Sequence, residues 1–244
     1  MHGRKNEAMT SPQIVFLHAL PLDGRMWAAQ IERYEGRAIA PTLYLFGSSL
    51  RDWSSGVLDA AHDGSLIIIG CSVGGLCALE VARAAPVQVL GVVLIGAKAG
   101  VRPEPAFRDE AVRYIRTHGV AAAWDKYWRP IFGRNADDAA VDAARELALA
   151  QSADDLVDGI FAFHNRDDFT DFARTWRGTI ISINGDQDHT PSAAANADWT
   201  SLRNRGAQVV DDCGHYVSLE QPQRFAALLD DAISCIEECA LANG

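Results

Sequence analysis

The sequence predicts an α/β protein: a doubly wound, mostly parallel sheet of about six strands that carries an inserted helical lid. Three observations lead to it. Continuously apolar runs such as Leu66 to Ile69 and Val89 to Ile95 read as strands buried on both faces. They alternate with segments of helical spacing, the pattern of parallel strands joined by right-handed crossovers. The alternation stops at about Val101, gives way to several helices, and resumes at Thr179. The expected organisation is a lead-in over 1–12, a core over 13–100 and 178–244, and a helical cap over 101–177.

Taken in order, Ile14 to Leu17 is the first strand, running into the turn-rich His18 to Gly24. A helix is expected from about Arg25 to Tyr34, a second strand near Ala38 to Ala40, and a helix capped by Asp52 running towards Ala61. The strand at Leu66 feeds a helix that ends near Ala85, and Val89 to Ile95 follows. In the insertion, Ala106 to His118 is stopped by Gly119 and Val120 to Trp128 by Pro130, and Asn135 and Ser152 each cap a further segment. Thr179 to Ile183 is a strand, Ser192 to Leu202 a helix, Gln208 to Val210 the last strand, and Pro222 opens the final helix.

A chain of 244 residues, 48% hydrophobic and 22% charged, can bury a large core as one domain with an insertion. Its net charge of -10 would be repelled by a polyphosphate backbone, so no nucleic-acid partner is expected. No apolar stretch approaches the roughly 20 residues that span a bilayer, and no membrane partner is expected. Arg4 and Lys5 ahead of Ile14 imitate a signal peptide, but His18 breaks the run and no clean cleavage site follows. Cys71, Cys77, Cys213, Cys235 and Cys239 are odd in number and lack a framework spacing, which implies reduced thiols and a cytoplasmic location. The expected assembly is a monomer or homodimer acting on a small molecule.

The chemistry centres on Gly70-Cys71-Ser72-Val73-Gly74, placed where a strand becomes a helix. Glycines on both sides let the backbone approach itself closely, so that the Ser72 hydroxyl stands above the sheet beside the free N–H groups of the helix start. Serine attacks at neutral pH only when a base takes its proton, and imidazole held by a carboxylate suits that task. Asp188 and His215 stand beyond the ends of later strands, where ligands bind in such sheets, and Asp186 is a rival for the acid.

The order Ser72, Asp188, His215 comes with Gly-x-x-Asp-x-x-x-Pro at Gly185 to Pro191 and Gly-His-x-x-x-Leu-Glu-Gln-Pro at Gly214 to Pro222. Over nearly the whole chain from Ile14 this resembles the α/β-hydrolase fold superfamily, in its serine-nucleophile branch. His-Ala-Leu-Pro at His18 and Gly-Cys-Ser-Val-Gly-Gly at Gly70 are most similar to small bacterial carboxylesterases and enol-lactone hydrolases. The resemblance implies Ser72 as nucleophile, His215 as base and then acid, and Asp188, favoured over Asp186 by its spacing, as the orienting carboxylate. It also implies an oxyanion hole made by the N–H groups of Leu20 and Val73. The sequence departs from the family at Ala19, where glycine is usual and where alanine requires a negative φ, and the usual N-terminal strand pair is missing.

The function implied is hydrolysis of a small ester or lactone through an acyl-enzyme. Cofactor-free cleavage of a carbon–carbon bond in a diketone is one alternative, and a ligand receptor that retains the triad is another. No metal or organic cofactor is expected, since ligand clusters and a dinucleotide glycine fingerprint are missing. The pocket candidates are His18, Trp128, Phe161, His164 and Tyr216. Arg102, Arg166 and Arg174 could supply a local positive field, although a solvated surface role is the simpler reading of each.

Overall fold

The computed structural model describes residues 11–100, 104–190 and 205–243. Most of the expected lead-in, Arg102, Pro191 and the helix expected at Ser192 to Leu202 lie outside them. Six parallel strands form one sheet: β1 (Gln13–Leu17), β2 (Ala38–Ile39), β3 (Leu66–Cys71), β4 (Val89–Ile95), β5 (Thr179–Gly185) and β6 (Arg205–Val210), in the order β2-β1-β3-β4-β5-β6. The inner strands β3 and β4 are continuously apolar because helices cover both faces, and every residue of β3 is buried.

The helices are α1 (Ala28–Arg33), α2 (Leu50–Ala60), α3 (Val73–Ala84), α4 (Pro105–Ala123), α5 (Asp138–Leu149), α6 (Ala153–His164), α7 (Thr170–Thr175), a turn at Val217–Glu220 and a final helix over Pro222–Asn243. Four of them, α4 to α7, lie between β4 and β5, where no strand is found among the described residues. α4 breaks at Gly119, whose φ of 81° leaves the helical region, and the chain then passes through a π turn at Trp124–Trp128 and a 3-10 turn at Arg129–Ile131.

Local chemistry moves three helix starts from their expected places. Asp23 caps a 3-10 turn at Gly24–Trp27, so α1 proper begins only at Ala28. Ser49, not Asp52, caps α2: its Oγ accepts from the Asp52 N–H at 3.1 Å while donating to the Asp52 carboxylate at 2.6 Å, a reciprocal cap that puts Asp52 inside the first turn. Asp137, not Asn135, caps α5, because the Asn135 amide is engaged with the Asp212 carboxylate at 2.9 Å. Ser152 caps α6 as expected, accepting from the Asp155 N–H at 3.0 Å.

Register puts the carboxyl ends of the strands in one row, with Leu17 beside Gly70, Cys71 beside Ile95, and Gly185 beside Val210. The final helix packs against β4 at Gly91, where a Cβ would lie 2.7 Å from side-chain carbons of the fully buried Ile236. Gly91→Ala is therefore expected to cost about 1–3 kcal/mol by overpacking. Ile236→Ala should cost about 2–5 kcal/mol through the cavity it leaves. In urea denaturation the double variant is expected to lose clearly less than the sum, and strict additivity would show that the two sites do not touch.

Candidate active site

Ser72 joins β3 to α3 with φ 54° and ψ −118°, a conformation an L-residue holds only when its surroundings impose it. The surroundings are tight. A Cβ on Gly70 would lie 2.2 Å from the Gly74 carbonyl oxygen, and one on Gly74 would lie 2.3 Å from the Leu17 carbonyl oxygen. Only glycines fit there, and the Ser72 N–H is tied to the Ile95 carbonyl at 2.8 Å.

Beyond β5 and β6 the loops bring Asp188 and His215 together. The His215 Nδ1–H donates to Asp188 Oδ2 at 2.9 Å, so Nε2 is left as the acceptor. The second carboxylate oxygen accepts from the Thr190 hydroxyl at 2.7 Å and the Thr190 N–H at 2.9 Å. Burial raises the Asp188 pKa, but His215 and the Thr190 donors outweigh it and hold the carboxyl below its ordinary value. Asp186, the rival, turns away to accept from the Cys213 N–H at 3.0 Å. Ser72 and His215 face one cavity with no hydrogen bond yet joining them, a contact that often tightens only with substrate.

Beyond β1, His18 is fully buried and serves structure. Its Nε2 accepts from the Leu43 N–H at 2.8 Å and its Nδ1 lies 3.2 Å from the Ala19 carbonyl, which fixes the neutral Nδ1–H tautomer. Burial pushes its pKa down to about 4. Ala19 fits without strain, because Ser72 and Asp212 are the non-glycine residues with positive φ among those described. The Leu20 carbonyl accepts from the Tyr216 hydroxyl at 2.8 Å, which anchors the loop from behind. Among the described residues neither the Leu20 nor the Val73 N–H finds an acceptor in the chain, which leaves both as free donors.

The His215 loop is also tied to the insertion. Glu220 accepts from the N–H groups of Gly133 at 2.7 Å, Gly214 at 2.9 Å and Tyr216 at 3.0 Å, and the His215 N–H donates to the Ile131 carbonyl at 2.9 Å. Gly96 backs the imidazole with φ 55°, and a Cβ there would come within 2.8 Å of His215 Nδ1 and Cε1.

The cavity is about 360 Å³, a size suited to a small organic ligand. Trp128 and His164 line it as expected, together with Leu20, Leu76, Phe163 and Arg166. Three candidates do not reach it. His18 and Tyr216 are fully buried with their polar atoms committed to backbone, and Phe161 lines a neighbouring, smaller cavity. Arg166, read as a surface residue, is a wall residue, whereas Arg174 is exposed. Among the described residues no group of three or more His, Cys, Asp or Glu side chains is placed to hold a metal ion.

Taken together, a hydroxyl on a strained turn, an imidazole oriented by a carboxylate and two free N–H groups can pass a proton and receive an oxyanion. A family model described as "Alpha/beta hydrolase family" matches residues 14–228. The chain belongs to the alpha/beta hydrolase family. Within it, the chain is 28% identical over 258 aligned positions to a pimeloyl-[acyl-carrier protein] methyl ester esterase of Aromatoleum aromaticum, covering 92% of this chain and 99% of that one. A thermophilic esterase from Thermogutta terrifontis superposes with a TM-score of 0.81 at 21% identity, covering 93% of this chain and 91% of the other. The enol-lactonase from Burkholderia xenovorans LB400 does so with a TM-score of 0.77 at 19% identity, covering 92% of each chain.

For this hydrolase the residues missed in the sequence are Thr190, Glu220 and Gly96. Thr190 and Glu220 stand inside the quoted motifs, so a search for partners of each motif's unassigned polar residues would have raised them.

Two outcomes follow from the site's geometry. Gly96→Ala should displace His215 and lower kcat for ester hydrolysis by about 10²-fold while KM changes less, the penalty of a misplacement near 1 Å. The folded-state pKa of His18 lies near 4 against an ordinary 6.5, so the unfolded chain binds the extra proton between these values. Its contribution is present above 6.5 and lost as pH falls to about 4, on the order of 3 kcal/mol. Urea denaturation across that window should show the fall in the wild type and a shallower one in His18→Gln; equal slopes would contradict it.

Proposed function

We propose that this protein hydrolyses a small carboxylic ester or lactone through an acyl-enzyme formed on Ser72. The observation that carries the reading is the Asp188–His215 pair at 2.9 Å, facing the same cavity as the strained Ser72 turn. The ester class is supported by the named reaction of the Aromatoleum relative, on a methyl ester.

In the first half-reaction His215 Nε2 takes the Ser72 proton as Oγ bonds to the ester carbonyl carbon. The carbonyl oxygen, now negative, accepts from the Leu20 and Val73 N–H groups. Collapse breaks the bond to the alcohol oxygen, which leaves with the proton from His215. Water then repeats the sequence on the acyl-enzyme and releases the acid and free Ser72. Asp188, ionised because its donors hold its pKa low, keeps the imidazole in the Nδ1–H tautomer and balances the charge it gains. Helices α4 to α7 act in this reading as a cap, shaping the acyl pocket and excluding water. The protein works in the cytoplasm, where its thiols stay reduced.

With p-nitrophenyl acetate and butyrate, multiple turnovers are expected, and Ser72→Ala and Asp188→Asn should each lower kcat by on the order of 10⁴. Asp186→Asn should stay within about threefold of wild type, since its carboxylate lies off the proton path. A fluorophosphonate should label Ser72. Turnover that survives Ser72→Ala, or a label on another residue, would overturn the assignment. Glu220→Gln is expected to lower kcat by about tenfold and shift Tm downward, because a neutral amide oxygen accepts N–H groups less strongly than a carboxylate.

A further inference from the structure

The cavity wall contains one cation whose hydrogen bonding is incomplete. Arg166 follows α6 and lines both the cavity at Ser72 and the smaller one beside it. Its Nη1 donates to the Phe163 carbonyl, its Nη2 reaches the Gly100 carbonyl at a long 3.4 Å, and its guanidinium lies 4.3 Å from the Phe163 ring centroid. Its Nε–H is buried with no partner. Burial lowers its pKa to about 10, so it remains a cation at neutral pH. No carboxylate lies within ion-pair distance of it among the described residues. Asp168 acts on it only through space, and Glu104 and Lys98, which share the cavity, have interactions of their own.

Two surface readings fail on these facts. A solvated arginine would expose its Nε–H, and a purely structural one would have an acceptor there or a paired carboxylate. The vacant Nε–H and the weakly engaged Nη2 lie on the same edge of the guanidinium, the edge that receives a carboxylate through two parallel hydrogen bonds. Most of the remaining lining is apolar, as suits a short hydrocarbon chain leading from the reacting carbonyl.

We propose that Arg166 is the specificity residue of this cavity and that the substrate is an ester or lactone whose acyl chain ends in a carboxylate. This inference rests on the hydrolase reading for its reacting end, but the anion site itself stands on Arg166 alone. The carboxylate would supply the acceptor that Nε lacks, and its charge would be neutralised away from solvent. Arg166 touches the far end of the substrate and takes no part in the proton transfers at Ser72.

The test compares mono-p-nitrophenyl adipate with p-nitrophenyl hexanoate, which has the same number of acyl carbons and a methyl group at the end. The isosteric neutral monoamide serves as a second control, and spontaneous hydrolysis is subtracted. The wild type should favour the charged ester in kcat/KM by about tenfold to about a hundredfold, the worth of a charge-assisted hydrogen bond. Arg166→Gln should lose that preference mainly through KM, read as the ratio of charged to neutral ester within the variant. Equal rates on the charged and neutral esters, or a preference that survives Arg166→Gln, would overturn the proposal. If Arg166→Gln does not fold, the wild-type comparison of the charged ester with its monoamide still decides. Calorimetry with monomethyl adipate on Ser72→Ala, with and without Arg166→Gln, separates the two readings. Arg166-dependent binding without turnover in the wild type would sink the hydrolase reading and keep the anion site. Turnover of neutral esters with no Arg166-dependent binding would do the reverse.

Discussion

Backbone N–H groups in a dry interior must find acceptors, and Glu220 meets that requirement for Gly133, Gly214 and Tyr216 at once. Hydrogen bonds to a charged group contribute about 1.5–3 kcal/mol each, against about 1 kcal/mol between neutral groups. Because two of the donors flank His215 and the third belongs to the insertion, one carboxylate fixes the imidazole to the sheet and to the helical segment above it. The other rim is joined differently. Leu20 is held by the Tyr216 hydroxyl and by packing against α6 at Gly159, where an added Cβ would lie 2.5 Å from Leu20 Cδ2. The site is thus clamped by charge on the histidine side and by shape on the other.

Two histidines show how position decides chemistry. His18 and His215 both follow the ends of strands and both are buried, yet their partners differ. His18 faces backbone, with one nitrogen accepting from Leu43 and the other near a carbonyl, so burial outweighs what the Ala19 carbonyl and the Asp23 charge would give a proton. His215 faces an ionised carboxylate, which would stabilise an imidazolium when one forms. Side-chain type alone does not separate a strut from a base; the charge of the nearest acceptor does.

The same distinction explains what the sequence made legible. β3 and β4 were readable because burial on both faces leaves a continuous apolar run, and β3 is buried at every position. β2 has only two half-buried residues at the sheet edge, and its reading overshot by one. Ser72, Asp188 and His215 stood out through their order and flanking glycines. Helix starts were less secure, since polar residues crowd them: Ser49 and Asp52 compete for one role, and Asn135 and Asp137 for another. Glu220 was not legible because one of its partners, Gly133, lies 87 residues away, and Arg166 could not be told from a solvated residue because its partner Phe163 carries no charge. His18, Phe161 and Tyr216 were misplaced for the converse reason: an aromatic or imidazole ring beside a motif signals proximity to the site, but not which way the ring turns.

The insertion has a temporal consequence. β1 to β4 are contiguous in sequence apart from short connections, whereas residues 96–178 separate β4 from its neighbour β5. Closing a loop of that length costs little more than closing a short one, since each doubling adds only about 0.6 kcal/mol, but the pairing cannot begin until the intervening residues exist. A nascent chain therefore holds every residue of the serine turn and of the four adjacent strands β2, β1, β3 and β4 well before Asp188 and His215 are synthesised. The Asp188–His215 pair can come to face that turn only after the last strand has been made.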